Sequence, residues 1–387
     1  MDWIKLKAEI RAFGAEIGID KIGFTDALPL TEHLPLLLSR QNAGYRFAIN
    51  EGDPQKRISP MLHLPQAKSI ISVAVAYSGH NGEKPETAEP VRGRISVISQ
   101  GTDYHKVVRA KLTKLREFIL ANIPEAQIEI FVDTGEILEK AIAVKAGLGW
   151  FGRNTLLITH EFGSWVSLGE LVTDLPLPAD EPCPDSCGPC RRCLTACPTR
   201  AIDEEKNINL DRCLACLTLT KALPPAEVRE QMGDTLYGCD ICQAICPINQ
   251  KNGAAKEIQG SIALDEAYPI LLDILQMSNA EYKKRFGHTS GAWRGRTPMQ
   301  RNAVIVVGNL QDFSAIPALK AILAADSRPV LRAAAAWALG KLGTEQCQDA
   351  LLKALAVEQD NEVLTEINLA LYNKKKGPQD YGTPFSS

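Results

Sequence analysis

Cysteine carries the first chemical signal in this chain. There are eleven cysteines in 387 residues, and ten fall between Cys183 and Cys246. Cys187, Cys190, Cys193 and Cys197 form C-x2-C-x2-C-x3-C followed by Pro198, the bacterial ferredoxin run for a cubane iron–sulfur cluster. Close spacing lets three thiolates from one turn grip one face of a cluster, while the fourth sits too far round and ligates a second cluster. A second run, Cys239, Cys242 and Cys246 before Pro247, lacks its leading cysteine, because Leu236 holds that position. The missing thiolate must come from Cys213 or Cys216, and Cys213 is favoured. The spacing predicts one 4Fe–4S cluster on Cys187, Cys190, Cys193 and Cys246, and another on Cys197, Cys213, Cys239 and Cys242. Cys183 and Cys216 are left over. C-x2-C pairs also bind zinc, but the two C-x3-C-P endings argue against it. Lone Cys347 lies in a repeat helix and reads as a small core residue.

Two further groups could do chemistry. Asp133 follows the apolar segment Ile128–Val132 and precedes a helical pattern over Glu136–Ala146. In α/β proteins, ligands bind outside the carboxyl ends of strands. A carboxyl group there donates a proton if burial raises its pKa. Asp133 or Thr134 could equally serve only as a helix cap. From Tyr282 to Arg301 there are six basic residues, Lys283, Lys284, Arg285, Arg294, Arg296 and Arg301, and no acid. Trp293 sits among them, suited to stacking on a base while the cations meet phosphates. The plainer alternative is a solvated helix face around a core tryptophan. With a formal net charge of −3, nucleic-acid binding would need such a local patch.

These residues need elements to position them. At roughly 150 residues per domain the length suggests two or three domains. With 45% hydrophobic and 23% charged residues the chain is ordinary globular material, which excludes disordered, collagenous and coiled-coil classes. Its apolar stretches, such as Ile70–Tyr77, fall far short of the ~20 residues a membrane span needs. The opening MDWIKLKAEIRAFG lacks a signal-peptide core. A cytoplasmic protein with no membrane partner is expected, in which crowded cysteines bind metal or do redox work. Residues 1–175 read as an α/β domain. It has helices over Trp3–Ile17, Asp103–Ala121 and Glu136–Ala146, and strands over Lys21–Phe24, Ser69–Tyr77 and Ile128–Val132. Asn154–Thr159 and Ser164–Thr173 read as a β-hairpin. Gly147-Leu148-Gly149 lies at a helix end, whereas a dinucleotide loop opens a helix. Asp174–Pro184 is a proline-rich linker into a cluster module, 176–253. Residues 254–387 hold a helical connector and a repeat, with Ala303, Gly308, Leu310, Leu319 and Leu323 recurring 32 residues later as Ala335, Gly340, Leu342, Leu351 and Leu355. That period, with small residues at helix crossings, marks a HEAT-like solenoid, either a structural cap or a binding surface. The fold expected is α+β multidomain, and apparently self-contained units suggest a monomer.

The motifs V-D-T-G-E, Y-G-C-D-I-C-Q-A-I-C-P and H-T-S-G-A-W-R-G-R, followed by HEAT-like repeats, together resemble the epoxyqueuosine reductases of queuosine biosynthesis in tRNA. The resemblance spans essentially the whole chain. It implies an α/β cobalamin-binding domain, a two-cluster ferredoxin-like module, a tRNA substrate carrying epoxyqueuosine, and an electron donor that the sequence does not identify. The implied reaction reduces the epoxide to the cyclopentene of queuosine and loses the oxygen as water. It makes Asp133 the general acid, expected to be kept neutral by an apolar, closed pocket. Cobalamin contacts are implied at Arg57 of the Lys56-Arg57 pair, Asp133, Asn154, Leu157, Ser164 and Leu168. Asp103-Tyr104-His105 begins an Asp-x-His-x-x-Gly cobalt motif, but residue 108 is valine, so His105 reads as structural. Two other classes fit less of the chain. A reductive dehalogenase would leave the tail and basic stretch without a role, and no twin-arginine leader is seen. An electron-transfer ferredoxin with a docking tail would leave the first 175 residues unexplained.

Overall fold

A computed structural model describes residues 1–44, 52–77, 89–134, 136–251 and 263–375. Gly135 of the V-D-T-G-E motif and the expected boundary at 253–254 lie outside the described residues. The first domain is built on four strands, β1 (Lys21–Asp26), β2 (Ser69–Ala76), β3 (Ile128–Phe131) and β4 (Val166–Thr173), ordered β1-β2-β4-β3. All three pairings are antiparallel, so the crevice rule for parallel sheets is not what places Asp133. Every residue of β2 is buried, as its continuous apolar run requires. Side-chain alternation divides that run between two layers. Ile71, Val73 and Val75 pack with Leu6 and Ile10 of α1 (Trp3–Glu16) and with Val108, Leu112 and Leu115 of α2 (Tyr104–Asn122). Ile70 packs with Ile142, and Ala74 and Ala76 with Ala143, both on α3 (Glu139–Lys145).

Three local expectations are corrected. The hairpin does not form: Leu157–Ile158 pairs with Trp150–Phe151, while β4 crosses the sheet to pair with β2 and β3. A single bridge, Thr159–Gly163, joins the two arms. Gly149 permits this pairing, since a Cβ there would lie 2.1 Å from the Ile158 carbonyl oxygen. α3 starts at Glu139 rather than Glu136, and its N-cap is Leu138 with no side-chain cap, so neither Asp133 nor Thr134 caps it. The proline-rich segment is also no free linker. Leu175 and Leu177 are buried, and Asp180 accepts hydrogen bonds from Lys7, Arg11 and the Phe24 amide.

The tail is a succession of helices, α4 (Arg296–Leu310), α5 (Ile316–Ala325), α6 (Pro329–Leu342), α7 (Glu345–Leu355) and α8 (Asn361–Lys375). The repeated glycines are crossing points. A Cβ on Gly308 would meet Trp337 at 2.8 Å, and one on Gly340 would meet Ala370 at 2.6 Å. Cys347 is fully buried in α7. Leu236, Tyr237 and Ile95 share the core of this helical stack, and Arg94–Ile95 pairs in parallel with Thr235–Tyr237. The three segments are therefore stitched together. Among the described residues, no helix is long and apolar enough to cross a membrane.

Candidate active site and cluster-binding module

Asp133 leaves the end of β3 with φ at +50°. Aspartate tolerates this left-handed geometry better than most residues because its short polar side chain bonds locally. The turn aims the carboxylate at the start of α2. Oδ2 accepts from Tyr104 Oη at 2.7 Å and lies 3.0 Å from His105 Nε2. His105 Nδ1 lies 2.7 Å from Asp103 Oδ1, and Asp103 also caps α2 by accepting from the His105 amide. Both ring nitrogens face carboxylate oxygens, a pattern satisfied when the imidazole carries both protons. Burial works against that charge, but hydrogen bonds to Asp133 and Asp103 outweigh it and raise the His105 pKa.

The same contacts correct the expected state of Asp133. Burial pushes its pKa up, yet the hydrogen bonds from His105 and Tyr104, with the charges of His105 and Lys140, hold it below the ordinary carboxylate value. The Asp133 side chain is 52% exposed. Its partners favour the ionised carboxylate, and the same contacts favour the protonated form of His105. Sequence reasoning assigned His105 a structural role because the cobalt motif was broken; the structure places its ring between Asp103 and Asp133.

A second feature lies behind Asp133. Its amide donates to Glu139 Oε1, and Glu139 stands near Glu170, which is fully buried on β4. Burial, followed by the Asp133 charge, pushes Glu139 up to about 8. Burial and the Glu139 charge also raise Glu170 well above its ordinary value.

Tyr104 lines a cavity of about 200 Å³ with Ala76, Tyr77, Thr102, Val107 and Ser167. The basic segment borders this region. Asp103 N–H donates to the His288 carbonyl at 2.9 Å, and Ser290 Oγ donates to the Ile98 carbonyl at 3.1 Å. Lys283 and Lys284 are exposed, as is Trp293, with the Arg294 guanidinium 4.0 Å from its ring centroid. Arg285 donates to the Asp265 carbonyl, and Arg296 to the Met277 carbonyl. Arg301 is a correction. It is fully buried and donates to the carbonyls of Leu217, Thr218, Thr220 and Ala222. It therefore cannot reach a phosphate.

In the cysteine-rich module, Cys187, Cys190, Cys193 and Cys246 line one cavity of about 160 Å³ with Asn154. A single ion would leave most of that space empty. Cys239 and Cys242 lie within electrostatic reach of Cys213. A hydrogen bond from Cys216 draws Cys213 down to about 7. The contacts of Cys197 are Thr199 Oγ1 and the Ala201 amide. Cys183 donates to the Gly147 carbonyl. Of the implied cobalamin contacts, Asn154 is buried, and its Nδ2 has no hydrogen-bond partner among the described residues. Leu157 is buried and Leu168 partly buried in one apolar cluster with Ala74, Ala76, Ala143 and Leu148. Arg57 lies within electrostatic reach of Lys140. Ser164 is already engaged: its hydroxyl donates to Gln243 at 2.9 Å, and its amide to Asn249 at 2.7 Å. It braces the sheet domain against the cluster module.

A carboxylate–imidazole site, a thiol-rich module and a basic surface in one chain are the parts of a redox enzyme acting on a large substrate. Comparison with known proteins makes the class specific. The family profile described as "Epoxyqueuosine reductase QueG, DUF1730" matches residues 57–134, a 4Fe-4S double cluster binding domain matches 186–249, and HEAT repeats match 296–371. An epoxyqueuosine reductase of Bacillus cereus is 41% identical over 96% of this chain and 98% of its own length. A crystal structure of an epoxyqueuosine reductase with an epoxyqueuosine-modified tRNA-Tyr stem loop superposes with a TM-score of 0.93 at 39% identity, covering 97% of this chain and 100% of that one. One from Bacillus subtilis, with its aspartate catalytic loop swung out of the active site, gives 0.91 at 38% identity over 96% of this chain and 99% of the other. The chain belongs to the epoxyqueuosine reductase family.

Proposed function

We propose that this protein reduces the epoxide of epoxyqueuosine in tRNA to the cyclopentene of queuosine, releasing the oxygen as water. The observation that carries the proposal is the Asp103–His105–Asp133 line, with Tyr104, placed beside the basic 283–294 segment. The related structure with a modified tRNA stem loop supports the substrate, and the relative's catalytic-loop aspartate supports the acid.

The donor sets fit the cofactors. Four thiols round one cavity suit a 4Fe–4S cluster on Cys187, Cys190, Cys193 and Cys246. Cys213, Cys239 and Cys242, with Cys197, would hold the other. Bound clusters supply single electrons. Asn154 Nδ2, without a hydrogen-bond partner among the described residues, and Leu168 beside Leu157 suit the edge and face of a large, amide-edged, largely apolar ring system. These residues, with Arg57 and Asp133, would hold cobalamin, while Ser164 acts chiefly as the brace. Cobalamin, when bound, supplies the nucleophilic, reducing chemistry at the epoxide carbon.

The chain's own residues manage protons and position. Asp133 Oδ2 is held by Tyr104 and His105, so the carboxylate has a fixed direction. His105 passes a proton to Asp133, which delivers it to the opening epoxide oxygen, and Asp103 steadies the ring. Lys283, Lys284, Trp293 and Arg294 take the tRNA backbone and an unstacked base; Arg285 and Arg296 border them. The base must leave the anticodon stack to reach the site, at a cost of a few kcal/mol. The functional units run over 1–175, 176–253 and 254–387, in a cytoplasmic monomer served by a separate electron donor. The test is nucleoside mass analysis of epoxyqueuosine-bearing tRNA after anaerobic incubation with reconstituted protein, cobalamin and a strong reductant. Loss of one oxygen mass only with cobalamin supports the reading; no change with intact clusters contradicts it.

A further inference from the structure

Replacing an epoxide oxygen by a carbon–carbon double bond takes two electrons and two protons per oxygen released as water. The electrons enter from the reductant. His105 and Asp133 account for one proton, and the second must reach the same carboxylate.

Glu170 lies mid-strand on β4, opposite Ser72 of β2 and Phe131 of β3. It is fully buried where strand alternation calls for an apolar residue. Oε1 accepts from Ser72 Oγ at 3.2 Å, and the carboxyl shares a side-chain hydrogen bond with Glu139. Glu139 belongs to the first turn of α3, and Asp133 also acts on Glu170 by its charge. Glu139 is half-buried, and it is the member that touches Asp133, through the Asp133 amide. The other groups acting on Glu139 are His105, Lys140 and Tyr104. Lys140 is itself opposed by Arg40 and Arg57. Two carboxyl groups in side-chain contact, one of them fully buried, cannot both ionise.

We propose that Glu139 and Glu170 form a proton-holding pair that supplies the second proton of the reaction by recharging Asp133. The step is a proton transfer only. The Glu139 O–H bond breaks, an O–H bond forms on the Asp133 carboxylate, and Glu139 is left as the anion, reprotonated from Glu170. Asp133 then protonates the departing hydroxyl, which leaves as water. Glu139 and Glu170 touch neither substrate nor cofactor; they act through Asp133.

The inference rests on the epoxide-reduction reading, but its first test does not need turnover. Infrared spectra of the full chain are recorded across the pH range for the wild type and for a Glu139→Gln/Glu170→Gln double variant. A carboxylic acid band that persists at neutral pH, titrates near pH 8 and is missing from the variant is the expected result. Absence of that band from the wild type overturns the proposal, whatever the protein does to tRNA. In turnover, Glu139→Gln should lower kcat at least tenfold with KM unchanged and remove an alkaline limb from the pH profile, and Glu139→Asp should restore part of the rate. A Glu139→Gln enzyme with wild-type kcat and pH profile also overturns it.

Discussion

Replacing Arg301 with methionine tests how far a basic stretch in a sequence can be read as a nucleic-acid surface. The guanidinium is fully buried and donates to four main-chain carbonyls, those of Leu217, Thr218, Thr220 and Ala222, as well as to Asn302 Oδ1. Methionine keeps the stem volume and strands these acceptors. Each buried unsatisfied carbonyl costs about 1–3 kcal/mol. Relief of the buried charge offsets part of that sum, because burial beside Arg229 already strains the cation. A net loss of about 3–5 kcal/mol follows, which at about 2–4 °C per kcal/mol lowers Tm by roughly 6–20 °C. The damage should centre on the Leu214–Leu217 helix, which Cys213 precedes and which holds Cys216. The assay pairs thermal unfolding with iron content and the salt dependence of tRNA binding. The expected variant is less stable, holds less iron, and keeps the salt slope of the wild type in whatever fraction stays folded. Wild-type stability with a reduced salt slope would refute the reasoning and return Arg301 to the phosphate contacts.

Other residues should behave differently. A Lys283→Gln/Lys284→Gln variant should weaken tRNA binding and flatten the plot of log affinity against log salt by about 1.4–1.8, at 0.7–0.9 per lost phosphate contact; an unchanged slope places the tRNA elsewhere. His105 has a raised pKa in the folded protein, so any stability gained from its charge is present below its unfolded pKa and fades as pH rises through the folded value. Activity drawn from its proton should fall over the same alkaline range. His105→Gln should abolish that limb and let the Asp133 pKa rise, both visible in pH–rate profiles and carboxyl infrared titration. Glu366 pairs bidentately with the buried Arg229, at 2.7 Å on both contacts. Glu366→Gln should cost about 3–5 kcal/mol by leaving that charge uncompensated, measured by urea unfolding.

The parts legible in the sequence were those with a period or a fixed local spacing. The β2 run showed its double burial directly, the glycine repeat fell on helix crossings, and four cysteines separated by up to 59 positions meet at one cavity. What escaped was set by long-range packing. Strand β4 leaves its neighbour in sequence to sit between β2 and β3, and only that placement brings Glu170 up to Ser72 and Glu139. A glutamate in the middle of the apolar VSLGELVT strand was a visible sign that something unusual faces it. Arg301 shows the converse: charge counts along a segment carry no information about which cations face inward. His105 was passed over because a cobalt-ligand motif was sought, and its proton bears instead on Asp133.

The central claim is that Asp133 delivers protons to the epoxide oxygen, and Asp133→Asn tests it most directly. Asparagine tolerates the left-handed backbone and keeps an acceptor for Tyr104, but it cannot carry the proton. Turnover of epoxyqueuosine-bearing tRNA should fall 10²–10⁴-fold, the usual contribution of a positioned acid, with cobalamin and tRNA binding retained. Turnover within a few-fold of the wild type would contradict the account.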